Sequence, residues 1–394
     1  MAIKVIDRFP GANARILAVR DDAKAPEIVF TPYPRGGTEA LWFDFRVHDP
    51  SPPAAGAPES LKLSLAFFET LLGGSNPAAI RPVLRERGKA WSRLKPPEVK
   101  TEPDGLQTLS WSVPYPVEPH EFALCMPYTY DELATALEHC KGYWTSSDIG
   151  LTQGGKVLQR LSNDILKGCK ACPNPHGLYI LARQHAGETP GSWVLDGMLE
   201  AFSRAKPVNW CVWIVPFANL DDVLSGAYGK DPFPHDLNRA WGDPPMRHET
   251  LVMRHDIRRW AQRCKPELVL DLHAPGASEN DGVYAYSQKN GTPESEKANQ
   301  AWLNLFAQAL APDYAAETFA RVADYPSRWP QPWLGDFVRD AIGTAAVSLE
   351  TPYCAIRDTA LLQKHYREIG QRLARAILTR WGRGWPATSG TSRP

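Results

Sequence analysis

The sequence has no net charge to recommend a partner: 44 Lys and Arg stand against 44 Asp and Glu in 394 residues. Without a field of one sign, neither nucleic acid nor an anionic membrane surface is expected to bind. A long apolar run is also missing. The best one, Trp210 to Phe217, has the length of a buried strand and falls far short of the ~20 residues that cross a bilayer, so a transmembrane helix is excluded. Cysteine is sparse, odd in number at seven, and without framework spacing, which suits free thiols in a reducing compartment. The first residues, MAIKVIDRFPGANARI, contain no apolar core or small-residue cleavage site, and Pro10 breaks them. The expectation is a cytoplasmic protein. A GxSxG elbow and a GxxxxGK[ST] loop are both lacking, which sets aside serine hydrolysis of that kind and P-loop phosphate binding. One CxxC, Cys169 and Cys172, has no answering pair and precedes a strand, so it is read as loop. There is no internal repeat.

What is present falls into two parts. From Ala40 to Val113 the apolar residues alternate, as Leu41, Phe43, Phe45 and Val47, then Leu61, Leu63, Leu65 and Phe67, then Leu109, Trp111 and Val113, with Pro- and Gly-rich turns between. Period two denotes half-buried strands, so residues 1–120 are expected to form a small all-β sandwich. VPYPVEPHEF, with three prolines, serves as the linker. From 121 to 388 strands and helices alternate: a helix capped by Thr129 and Glu132, strands at 178–183, 210–215, 268–272 and 345–349, and helices at 192–202, 249–263, 298–310 and a last one striped by Leu362, Tyr366, Ile369, Leu373 and Ile377. That alternation predicts an α/β domain with a buried, mixed central sheet and its chemistry at the strand ends.

Several polar residues fall at those ends. His185 and Glu188 form an HxxE just past a strand and can offer an imidazole and a carboxylate to one divalent ion. The pattern alone is weak, since His365 and Glu368 repeat it on the last helix, where a solvated rim pair is expected. His273 ends the strand ELVLDLH and is either a strand-end histidine with ordinary partners or a third ligand. Two His and one Glu leave a zinc position open for water, the catalytic pattern. Asn238 and Arg239 lie together in the loop DLNRAW, where a guanidinium can grip a carboxylate. Glu350 closes the strand AAVSL and is either a turn cap or a base aimed into a cleft.

The order of these motifs resembles the zinc carboxypeptidase family, and within it the cytosolic carboxypeptidase branch, whose best-known members remove glutamates from tubulin tails. The resemblance is carried by ARQHAGET, GAYGKDPFPHDLNRAW, DLH and SLETPYC, with WFDFRV and FALCMPYTYDEL at the front, and so spans nearly the whole chain. The separations of 50, 35 and 77 residues between Glu188, Asn238, His273 and Glu350 make the set far more specific than any one motif. The resemblance implies a carboxypeptidase-like α/β/α domain, one zinc ion on His185, Glu188 and His273, and Glu350 as general base. It implies that Asn238 and Arg239 hold the terminal carboxylate of a peptide or protein substrate, and that Asp236 orients the first zinc histidine. Asp271, on the strand face of His273, is a weaker candidate for such a role.

Two family positions do not match. The arginine that stabilises the oxyanion aligns without gaps on Gly229, and the adjacent Lys230 is the candidate replacement as a point charge. The substrate-capping tyrosine aligns on Arg328, with Tyr325 nearby, and an arginine there could select an acidic C-terminal side chain. Two other readings stay open: a zinc amidohydrolase acting on small N-acyl amino acids or cell-wall peptides with the same triad and base, and a partner-binding protein whose site has decayed.

Overall fold

Alternation at the front builds two five-stranded sheets in the computed structural model, which describes residues 3–22, 24–51, 58–73, 75–163, 174–230, 235–287, 291–323 and 327–380. One sheet runs in the order Lys4–Ile6, Asp44–His48, His120–Ala123, Val83–Glu86, Ser92–Arg93; the other runs Arg15–Arg20, Glu27–Thr31, Ser60–Leu65, Gln107–Pro114, Glu98–Thr101. Leu61, Leu63, Leu65, Leu109 and Val113 point inward, and Phe30, Phe43, Phe45 and Phe122 pack as a cluster with centroids 4.9 to 5.7 Å apart. One expectation changes. The stretch read as linker ends in His120–Ala123, which pairs with strands on both sides as the middle strand of its sheet. Trp42 and Asp44, on the opposite face from Phe43 and Phe45, are buried too, and Gly187 of the α/β part packs against Trp42.

The second part is built on an eight-stranded mixed sheet in the order Thr145–Leu151, Val157–Ser162, Trp210–Val215, His176–Ala182, Lys265–His273, Ala345–Glu350, Val283–Ser287, Ala315–Arg321. Its four central strands, 210–215, 176–182, 265–273 and 345–350, are parallel and apolar on both faces. Leu178 and Ile180 face one layer, with helices Thr189–Ala205, Pro293–Leu310 and Gln363–Thr379; Tyr179 and Leu181 face the other, with His248–Ala261 and Leu334–Ile342. The helix expected after Thr129 is Tyr130–His139, and the Glu132 carboxylate accepts from the Thr129 N–H at 2.8 Å. Helices 189–205 and 363–379 meet backbone to backbone. A Cβ on Gly197 would lie 2.0 Å from the Arg367 carbonyl oxygen, and one on Gly370 1.9 Å from that of Val194.

Both parts share one hydrophobic core. Arg93 of the sandwich reaches across and donates to the carbonyls of Leu361 at 3.0 Å and Tyr353 at 2.9 Å, as well as to Arg81 at 2.6 Å and Leu124 at 3.0 Å. Among the described residues no helix is long and apolar enough to cross a membrane. The Cys169–Cys172 pair lies outside them; the five described cysteines are free and buried. The second HxxE serves its helix: His365 Nδ1 accepts from the Leu362 N–H at 3.0 Å, and Glu368 accepts from the Tyr314 hydroxyl at 2.8 Å.

Candidate metal centre and active-site cleft

Parallel strands carry their loops out at one end, and three such ends converge here. Strand 176–182 stops at Arg183, which adopts a left-handed φ of 65° at a cost of roughly 1 to 3 kcal/mol. The buried Arg183 guanidinium offsets that strain, with Nε donating to the Ala186 carbonyl at 2.6 Å and Nη1 to those of Tyr128 at 2.8 Å and to Ser192 Oγ at 3.2 Å. Burial lowers its pKa to about 10. Gly187 leaves no space for a side chain: a Cβ would come within 2.5 Å of the Tyr228 ring and 2.8 Å of Trp42 Cβ. Helix 189–205 then starts with Glu188 as its N-terminal cap, so a tight loop sets His185 and Glu188 side by side.

His273 arrives on the neighbouring strand. His185 Nδ1 lies 2.8 Å from Glu188 Oε1, and His273 Nδ1 lies 2.8 Å from Glu188 Oε2. One ligand atom from each of the three falls within 4.8 Å of the others, and all three residues are buried. Carboxylates also stand behind the far ring nitrogens: His185 Nε2 is 3.3 Å from Asp236 Oδ1, and His273 Nε2 is 2.8 Å from Asp271 Oδ2. Asp271, ranked lower from the sequence, makes the closer contact. Burial alone would depress the His185 pKa, but the charges of Glu188 and Asp236 overcome it and lift the value to about 9. His273 is raised in the same way by Asp271 and Glu188. Burial would raise Glu188, yet the two histidines hold it well below the usual carboxylate range. Three buried carboxylates around two imidazoles are an excess of negative charge that a dication would compensate. Two nitrogens, one carboxylate oxygen and a carboxylate behind each histidine fit a divalent transition-metal ion.

Glu350 ends strand 345–350 directly beside His273 in register. Burial pushes its pKa up to about 7 despite the positive charges of His273 and Lys230. Asp236 caps the turn Leu237–Arg239, its Oδ1 accepting from the Asn238 N–H at 2.9 Å. The Arg239 guanidinium donates to Ser327 Oγ at 3.1 Å and to the Asn238 carbonyl at 2.9 Å. Asn238, Arg239 and Glu350 line one cavity of about 220 Å³.

The unmatched positions acquire reasons. Gly229 has a φ of 74°, and a Cβ there would lie 2.7 Å from the Ala186 N, so this backbone has no room for an arginine. Lys230 is half-buried and acts electrostatically on Glu350. Arg328 is placed differently from the expectation of a pocket residue. It is absent from the described cavity lining, and its Nη1 donates to Glu39 of the sandwich, whose carboxylate draws the guanidinium outward. Tyr325 lies outside the described residues. The sequence reading missed Gln184, whose amide accepts from Trp241 Nε1 at 2.8 Å and donates to Asn238 Oδ1 at 3.2 Å and to Asp271. It also missed the buried Tyr228, whose hydroxyl is 3.5 Å from Glu188 Oε1. Adjacency to His185 was the one available signal for Gln184; Tyr228 gave none.

No family model matches the chain. Cytosolic carboxypeptidase 6 of Caenorhabditis elegans is 26% identical over 294 residues, covering 66% of this chain and 61% of the relative. The human cytosolic carboxypeptidase 6 is 27% identical over 274 residues, covering 62% and 52%. The chain thus spans between half and three-fifths of the length of these relatives. Among solved structures, the metallo-carboxypeptidase of Burkholderia cenocepacia superposes with a TM-score of 0.77 at 18% identity, covering 96% of this chain and 98% of that one. The metallo-carboxypeptidase of Pseudomonas aeruginosa gives 0.72 at 18%, covering 96% and 99%. The fold, sandwich included, is that of the metallo-carboxypeptidases. In sequence the chain is similar to the cytosolic carboxypeptidases.

Proposed function

We propose that the chain is a zinc-dependent carboxypeptidase that hydrolyses the C-terminal peptide bond of a peptide or protein. The observation that carries this reading is the meeting of His185, Glu188 and His273 within 4.8 Å, with Glu350 in register beside His273 and on the same cavity as Arg239. His185, Glu188 and His273 hold the ion, and Asp236 and Asp271 fix the two rings. Bound there, zinc supplies a Lewis acid that polarises the scissile carbonyl and acidifies water. Arg239, with Asn238, takes the terminal carboxylate and so sets the cleaved bond one residue from the end. Glu350 removes a proton from the attacking water and returns it to the leaving amine; a carboxylate with its pKa near 7 suits both transfers. Lys230 adds positive charge as the carbonyl oxygen becomes anionic. The five free, buried cysteines support action in a reducing, cytoplasmic compartment. The intact constellation speaks against a decayed site.

The test is mass spectrometry of a mixed peptide library incubated with zinc-loaded protein, with Glu350→Gln as blank. Loss of single C-terminal residues by the wild type alone is expected. If N-acyl amino acids are hydrolysed and no peptide shortens, the amidohydrolase reading replaces this one.

A further inference from the structure

The cavity beside Glu350 has a composition of its own. Among its described lining residues Arg239 and Glu350 are the only charged ones, and apart from Ala323 the rest are aromatic, hydroxyl or amide side chains. Three of those carry buried polar atoms that no protein group satisfies: Ser348 Oγ, Trp329 Nε1 and Gln331 Oε1. Ser348 is 4% exposed and lies two residues before Glu350 on the same strand, so both side chains leave the same face of the sheet. Buried polar atoms are nearly always paired, and a cluster of exceptions around a cavity is what a hydrogen-bonding ligand completes. Arg328, the cation that could have drawn an acidic side chain, is turned to Glu39 instead.

Resting on the carboxypeptidase reading, we propose that this cavity selects an uncharged C-terminal side chain with a hydrogen-bonding head, tyrosine or glutamine, and that Ser348 and Trp329 determine the choice. Arg239 is committed to the terminal carboxylate and Glu350 to the proton transfers. A glutamate side chain would bring a further anion beside Glu350, where Arg239 is the one cation among the described lining residues, and a lysine would have to compete for the base. Phenylalanine or leucine would fill the space and leave the indole N–H and the hydroxyl unpaired, and sites built to bond a polar group reject analogues that lack it.

The experiment uses zinc-loaded full-length protein and peptides that differ only in a last residue of Tyr, Gln, Phe, Leu, Glu or Lys. The expected kcat/KM for Tyr or Gln exceeds Phe and Leu by about tenfold or more, with Glu and Lys lower still. Ser348→Ala, or Trp329→Phe should the first fold poorly, is expected to compress the Tyr-to-Phe ratio toward one. Preference for Glu, equal rates for Tyr and Phe, or variants that lower every substrate by the same factor overturn the proposal and leave the carboxypeptidase reading standing. Failure to cleave any of the six overturns both.

Discussion

Asp271 illustrates what a single residue contributes at this site. It accepts from Gln184 and stands 2.8 Å from His273, while Asp236 stands 3.3 Å from His185. Carboxylates behind metal-binding histidines hold ring orientation and raise basicity, and their loss weakens metal affinity roughly 10- to 100-fold. Asp271→Asn is expected to weaken zinc binding more than Asp236→Asn, as read by chelator competition. Glu350, as the proposed base, sets the expected pH dependence. Its acid form is favoured by burial, and a base works only when deprotonated, so kcat/KM falls as pH drops through its pKa. A bound dication favours the carboxylate, so the acid limb should have its midpoint at or below about pH 7. A midpoint above pH 8 would assign the titration to another group. The metal-ligand candidates and Glu350 were legible because each sits at a fixed short distance from a strand end. Arg328 was not, because its partner Glu39 is 289 residues away and nothing local announces it.

At the scale of elements, the helix that begins at Glu188 is pressed onto the last helix through Gly197 and Gly370. Either glycine replaced by alanine forces the backbones apart, and overpacking of this kind costs roughly 1 to 3 kcal/mol. Gly370→Ala is therefore expected to lower stability in urea unfolding by about that amount. It should also weaken metal binding, because the candidate ligand Glu188 is the N-terminal cap of the displaced helix. The central parallel strands and the long helices were readable because burial on both faces, or one apolar stripe, dominates their sequence. Strands Thr145–Leu151 and Ala315–Arg321 were not, since they are the two edges of the sheet and alternate weakly between water and core. His120–Ala123 was hidden by the prolines just before it, which read as a linker although the next four residues form the middle of a sheet.

For the whole molecule, the shared core and the reach of Arg93 tie the sandwich to the segment that follows Glu350. Arg93→Ala strands several carbonyls without a donor, each worth about 1 to 3 kcal/mol when left buried and unpaired. The variant is expected to lose activity together with stability. Calorimetry of the wild type should give one transition for both parts; two separate transitions would show the sandwich to be a passive appendage. The close packing around Gly229 has a consequence for how such a site can change. A backbone turned to φ 74° against Ala186 cannot accept arginine by one substitution, so placing a guanidinium at this position requires rebuilding the loop. A loop with glycine here and a loop with arginine are thus separated by a change of main-chain path, not by a change of one side chain.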